Sequence, residues 1–372
     1  MSVVGVPTEI KNNEKRVAIQ PDGVSDLVEA GHRVLIQAGA GVGSRFGDDE
    51  YASAGAEIVD GPDALHDRAE LILKVKEPLP EEHHRYREGH QLFTYLHLAA
   101  DRPLTEFLLE RKVDAIAYET VQTHDERLPL LTPMSEVAGR MAIQAAAHAL
   151  ESPSGGPGIL LGGVPGTPAA KVTIIGGGIS GTEAARIALG MRANVRIFDT
   201  SSRRLATLAD IFESQVDLLV PSRTRLAAYV ADSDVLIGAV LVPGTAAPKL
   251  VSREMIASMR PGSVAVDIAI DQGGCFETSR PTTHSHPTYV EEGVTHYCVA
   301  NIPGAVARTS TLALTSATLP YVLEVAAHGV RGAAADNPAL RRGLSTLNGR
   351  LTSEPVAHAH DLPYTPAENA LD

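Results

Sequence analysis

Four ionisable side chains follow short apolar runs in the first third of this 372-residue chain: Arg16 after VVGV, Lys76 after LILKV, His97 after QLFTYL and Glu119 after DAIAY. If those runs are parallel strands, the four share one rim, because ligands in an open parallel sheet collect outside the strand carboxyl ends. A guanidinium fork matches two carboxylate oxygens, so Arg16 is a candidate clamp for an acid; the plain alternative is a solvated charge within KNNEKR. Lys76 suits a hydrogen bond or a proton to a carbonyl. Lys74, two residues earlier, points to the opposite face or into the sheet, and one of the two lysines is structural. An imidazole titrates near neutral pH, which suits His97 to proton exchange with a reacting oxygen or amine, against the alternative of a packing histidine.

A second set lies later in the chain. The run SVAVDIAIDQGGCFE puts Asp271 at the end of a predicted strand, ahead of Gly-Gly, where a carboxylate orients an ammonium group or an attacking water. Asp before Gly is also a common turn residue, and Asp267, four positions earlier, is the alternative that stabilises the turn or strand end. Glu324 and His328 stand at i and i+4 on a predicted helix, a spacing that shares a divalent metal, although two ligands are too few for a site. Cys275 and Ser135 carry nucleophilic atoms without a histidine partner in a local signature, and neither is taken as a catalyst.

The elements that must position these groups centre on residues 171–199, KVTIIGGGISGTEAARIALGMRANVRIFD. A β-branched run ends in Gly176, Gly178 and Gly181 at the G-x-G-x-x-G spacing of a dinucleotide site. The first glycine makes the turn, the second lets a pyrophosphate approach the backbone, and the third lets the helix pack closely. Apolar residues at Ala184, Ile187, Ala188 and Met191 make the helix that follows amphipathic, with its N-terminus toward the phosphates. The next strand ends in Asp199, 23 positions beyond Gly176, where a carboxylate meets the ribose hydroxyls and repels a 2′-phosphate, favouring NAD. Arg203 and Arg204 follow closely and are able to pair with that phosphate, so NADP stays open.

Elsewhere strands are expected at residues 3–6, 33–37, 57–59, 69–75, 91–96 and 114–118, and again at 216–220, 234–240, 263–270 and 295–299. With the two strands of the glycine-turn unit, the later group makes six, the Rossmann complement. Helices are expected at 22–30, 134–151 and 309–328, the last interrupted near Pro320. The fold expected is α/β with two doubly wound parallel-sheet domains: a Rossmann dinucleotide domain, residues 134–304, inserted into a discontinuous substrate domain, residues 1–133 and 305–372. A net charge of −13, from 32 basic and 45 acidic residues without a basic stripe, argues against nucleic acid. Two cysteines form no disulfide framework, which suits a reducing cytoplasm. MSVVGVPTEIKNNEKR carries charges where a secretion signal needs an apolar stretch, and no membrane span is expected.

Over essentially its whole length the chain resembles the NAD-dependent alanine dehydrogenases. The resemblance is carried in order and spacing by GVPTEIKNNEKRVA, LKVKEP, FTYLHLA, AYETVQ, PMSEVAGR, GAVLVPG, PKLVS, VDIAIDQGGCFE, RPTTH, HPTY and YCVANIPGAV. It implies reversible oxidative deamination of L-alanine to pyruvate and ammonium, with Arg16 and Lys76 binding pyruvate and His97 and Asp271 as the catalytic pair. It further implies cofactor contacts from Ser135, Gly178, Ile179, Asp199, Arg204, Val240, Leu241, Ile268, Arg280, Val299 and Asn301. Glu324 and His328 match an occasional Mg2+ position, and the family pattern implies a cytoplasmic homohexamer. The chain departs from the pattern at Ile302, where methionine is expected, and at Pro221, where serine is expected. Two other readings stay open. One is a dehydrogenase of another small amino or hydroxy acid, such as a saccharopine-type enzyme; the other is a soluble NAD(H)-binding module like the peripheral part of the nicotinamide nucleotide transhydrogenases.

Overall fold

A computed structural model describes residues 1–240 and 247–372. The chain divides into two compact units, Met1–Met134 with Val306–Asp372, and Ser135–Ala305. The first unit opens with strands β1 (Val3–Val6), β2 (Arg33–Gln37), β3 (Glu57–Val59), β4 (Leu71–Leu73), β5 (Gln91–Thr94) and β6 (Asp114–Ala117). The second contains β7 (Lys171–Ile175), β8 (Asn194–Phe198), β9 (Asp217–Leu219), β10 (Val235–Gly238), β11 (Val264–Asp267), β12 (Thr288–Glu291) and β13 (Val294–Tyr297). The chain then returns to the first unit with β14 (Leu344–Leu347) and β15 (Arg350–Leu351).

Strands β1 to β6 pair in parallel, in the sheet order β15-β14-β6-β5-β4-β1-β2-β3. The second sheet runs β12-β13-β11-β10-β7-β8-β9. Continuous apolar runs such as LIL in β4 and VLI in β10 are buried throughout, as parallel strands covered on both faces must be. In the second unit, Val172, Ile174, Val235, Ile237, Val264 and Val266 fill one face, while Ile175, Leu236, Ala265 and Phe276 fill the other. The strand period of two sorts neighbouring residues onto opposite faces.

Three expectations need correction. Neither sheet is wholly parallel: β14 and β15 add antiparallel strands at one edge, and β12 does so in the second sheet, which therefore has seven strands and not six. The LSTL of β14 is weakly apolar, and its Thr346 hydroxyl is buried by donating to the Val113 carbonyl. The strand expected at 263–270 stops at Asp267, and residues Ile268–Gln272 form a 3-10 turn. The late helix runs through Pro320, from Ala307 to Asp336, and breaks instead at Gly329 (φ 68°, ψ 167°). Pro320 and Ser316 lie on the exposed side, where solvent satisfies the carbonyl left without an N–H. Glycine adopts the positive φ that other residues resist, and Gln91 Oε1 accepts the Val330 N–H across the kink. Among the described residues no helix is long and apolar enough to cross a membrane.

His90, just before β5, is 2% exposed. Its Nε2 donates to the His66 carbonyl at 3.1 Å and its Nδ1 accepts from the Arg87 N–H at 3.4 Å, so the neutral ring is satisfied. Burial, and then the nearby Arg87 guanidinium, push the imidazole from its ordinary 6.5 down to about 4. A depressed folded-state value contributes stability that is present in full above 6.5 and lost as pH falls toward about 4. Denaturant unfolding of His90→Gln should therefore show a shallower loss than the parent chain across that window. Parallel curves for the two would contradict this.

Candidate functional site

Lys76, His97 and Glu119 come directly after β4, β5 and β6, which are contiguous and parallel, so the sheet sets them along one carboxyl edge, while Arg16 lies further along the loop that leaves the neighbouring β1. Arg16 is 2% exposed, which removes the solvated-charge alternative. Its Nε donates to Glu14 Oε1 at 2.7 Å and its Nη2 to Oε2 at 2.5 Å, while its backbone N–H reaches Oε1 at 3.0 Å. Nη1 lies 3.1 Å from Met134 Sδ. One edge of the fork is thus engaged by an internal carboxylate that the sequence reading passed over, although Glu14 lies only two positions from Arg16 in the same loop.

The two lysines separate cleanly. Lys74 is fully buried between Glu82 Oε1 at 2.9 Å and Glu9 Oε2 at 3.2 Å. Burial works against its charge, yet the two carboxylates outweigh it and hold the ammonium above its ordinary value. Lys74 is the structural lysine. Glu9 also accepts the Val75 and Lys76 N–H groups at 2.6 and 3.3 Å, and the Thr94 hydroxyl donates to the Lys76 carbonyl, so the backbone that carries Lys76 is fixed.

His97 has a side chain 41% exposed and a left-handed backbone, φ 51° and ψ 34°. Its ring stacks on Tyr95 with centroids 6.0 Å apart and planes within 5°, and the Tyr95 hydroxyl donates to the Leu130 carbonyl. Glu119 accepts the backbone N–H groups of Leu96 and His97.

In the second unit the expected cofactor residues other than Ser135 follow β7, β8, β10, β11 and β13, five neighbouring parallel strands. Gly176 has φ +100°, and a Cβ there would come within 2.5 Å of the Ala239 carbonyl and 3.1 Å of Val240. A Cβ on Gly181 would sit 1.9 Å from the Gly176 carbonyl oxygen, so the helix Ile179–Gly190 packs on the turn only with glycine there. Gly178 caps that helix without a side-chain bond, and the space beside it is open. Free first-turn amides beside an open glycine fit the pyrophosphate of a dinucleotide. Ile179, the first helical residue, is 42% exposed. Asp199 accepts the Gly177 and Ser201 N–H groups, each at 2.8 Å. Arg204, a candidate partner for a 2′-phosphate, instead donates from Nε to the Gly177 carbonyl and from Nη2 to the Thr182 hydroxyl, bracing the glycine turn.

Asp267 ends β11 and is fully buried. It accepts the N–H groups of Ala269, Cys275 and Phe276 and the Ser279 hydroxyl. Burial pushes its carboxyl up against the pull of those donors. Asp271, expected at a strand end, is exposed in the turn that Asp267 ties down. Burial and the neighbouring Asp267 raise the Cys275 thiol well above its usual range, so it is no nucleophile.

Of the remaining expected contacts, Ile268 opens that turn and Val299 is buried in a bridge to Thr282. Arg280 stacks over the Tyr289 ring at 3.8 Å, while Asn301 holds φ 89° and accepts His284 Nε2 through its carbonyl. Ser135 is half-buried near the start of the helix Thr132–Ala149. Leu241 lies outside the described residues. Ile302 is buried in the apolar core. The Mg2+ expectation finds no support: Glu324 accepts the Asn337 amide at 2.8 Å, and among the described residues no group of three or more His, Cys, Asp or Glu is arranged for a metal.

Comparison with known proteins places the whole chain in one family. Residues 5–138 match the model of the alanine dehydrogenase/PNT N-terminal domain, and residues 142–354 match that of the C-terminal domain. An alanine dehydrogenase of Methanococcus maripaludis is 59% identical over 371 residues, covering all of both chains. One from Bacillus subtilis is 56% identical over 370 residues, covering 99% of this chain and 97% of the other. Among solved structures, an L-alanine dehydrogenase superposes with a TM-score of 0.93 at 50% identity, covering 96% of this chain and 99% of that one. A transhydrogenase from Sinorhizobium meliloti gives 0.79 at 26% identity, covering 95% and 99%. The chain belongs to the alanine dehydrogenase/PNT family.

Proposed function

We propose that the chain catalyses the reversible, NAD-dependent oxidative deamination of L-alanine to pyruvate and ammonium. The observation that supports the chemistry is that Lys76 and His97 follow the adjacent parallel strands β4 and β5, with Arg16 buried in the loop that leaves the neighbouring β1. The family relationship supplies the reaction class. Gly176, Gly178, Gly181 and Asp199, with Ser135, Ile179, Val240, Leu241, Ile268, Arg280, Val299 and Asn301, are proposed to hold the dinucleotide. When bound, NAD supplies the hydride acceptor for the substrate Cα. The preference for NAD over NADP is supported by Asp199 beside the glycine turn, where a carboxylate would meet the ribose hydroxyls, and by Arg204 being engaged with Gly177 and Thr182.

Arg16 meets the substrate carboxylate. Because Glu14 engages its Nε/Nη2 edge, the substrate takes the Nη1 side or displaces Glu14. Lys76 donates to the 2-oxo oxygen, favouring the charge that develops there. His97 exchanges the proton of the hydroxyl as water adds to the substrate iminium and the carbinolamine collapses, and Asp271 assists the water and the departing ammonium. Glu9 and Thr94 contribute by fixing the backbone that carries Lys76. A cytoplasmic homohexamer is part of the same reading, supported for location by two buried, unpaired cysteines that suit a reducing compartment.

The experiment that tests this is the initial rate of NADH oxidation with ammonium across 2-oxo acids. Pyruvate should give the highest kcat/KM, and a clear preference for a dicarboxylic oxo acid would favour the saccharopine-type alternative. Arg16→Lys keeps a charge for Glu14 but loses the fork; KM for pyruvate should rise by a factor corresponding to about 1.5–3 kcal/mol, and an unchanged KM would remove the clamp. His97→Ala should lower kcat by roughly 10²-fold or more. Near-normal turnover would take His97 out of the mechanism.

A further inference from the structure

We infer that Glu119 is a positioning residue that aims the His97 imidazole by gripping the backbone on which it stands, an inference that rests on the proton-transfer role proposed for His97. The grip follows from sheet register. Thr94 at the end of β5 pairs with Ala117 at the end of β6. Glu119, two residues past Ala117, is therefore beside the two residues at which the neighbouring chain turns off its strand. Its Oε1 accepts the His97 N–H at 2.7 Å and the Leu96 N–H at 3.2 Å, and its Oε2 also accepts Leu96 at 3.2 Å.

Those amides have left the β-ladder, and without the carboxylate they have no acceptor from the sheet. The grip coincides with the left-handed conformation of His97, a region costly to a residue bearing a Cβ, and the two amide contacts offset that cost. Turning the backbone there swings the side chain over Tyr95, whose ring lies parallel to the imidazole and whose hydroxyl is tied to Leu130. The Nδ1 of His97 lies 4.0 Å from Glu119 Oε1, beyond a hydrogen bond, so the contact that fixes the ring runs through the main chain. One oxygen takes both amides, so an amide side chain that keeps this oxygen should keep the grip.

The test is a double-substitution cycle on the full chain, read as kcat and as KM for pyruvate with NADH and ammonium. Glu119→Ala should lower kcat by about 10–100-fold, the scale for a misplaced reacting group, while KM changes little. Glu119→Gln, which keeps Oε1, should restore kcat to within about threefold of the parent, and it also controls for misfolding of the alanine variant. In the His97→Ala background, Glu119→Ala should have almost no further effect on kcat, because residues that act as one unit are non-additive. An additive cycle, or a loss confined to KM, would overturn the positioning role and leave His97 in place. Unimpaired turnover in His97→Ala alone would instead overturn the proton-transfer reading, and the inference with it.

Discussion

A parallel strand that ends at a carboxyl rim sends backbone N–H groups into the loop beyond it, and those groups need acceptors. In this chain carboxylates supply them. Glu9 takes the amides after β4, Glu119 those after β5, Asp199 the Gly177 amide after β7, and Asp267 three amides of the turn after β11. A hydrogen bond to a charged group contributes roughly 1.5–3 kcal/mol, more than a neutral one. The loops after these four strands are therefore held at their roots by an acid set within the fold.

Buried carboxylates need counter-charges, and this requirement organises the rest of the first rim. Lys74 lies between Glu9 and Glu82 and serves both, and Arg16 pairs with Glu14, whose side chain is wholly buried. Breaking such a pair leaves an uncompensated charge in a poor solvent, which is why both sides of each pair have to be present together. The arrangement explains why two lysines two residues apart do different things. Both lie beyond Leu73, the last residue of β4: the Lys74 ammonium is held between Glu9 and Glu82, whereas Lys76 meets Glu9 through its backbone N–H.

Much of the fold was legible in the sequence because apolar runs, glycine spacing and strand–helix alternation are local signals. Ranges such as 33–37, 57–59 and 91–96 differ little from β2, β3 and β5. The glycine turn was equally readable, since Gly176 and Gly181 are demanded by contacts a side chain would violate, and Gly178 leaves open the space beside the helix N-terminus. What stayed hidden was non-local. Antiparallel β12, β14 and β15 are short, and their signal depends on the neighbour they pair with. The helix break at Gly329 rather than Pro320 was settled by exposure and by Gln91, which is far away in the chain. In the site, types and positions were readable, but partnerships were not: nothing in KNNEKR says that Arg16 is buried on Glu14, and DIAID left open which aspartate ties down the strand end, Asp267 buried there or Asp271 exposed.

The central claim is that the acid-recognising rim serves an ammonium-dependent reduction, beyond the mere binding of a dinucleotide. The most direct measurement follows the absorbance of NADH with the purified chain and pyruvate, first without ammonium and then with it. The account predicts a stable signal that falls once ammonium is added, with alanine accumulating in equal amount. NADH that binds but is not consumed on adding ammonium would contradict it.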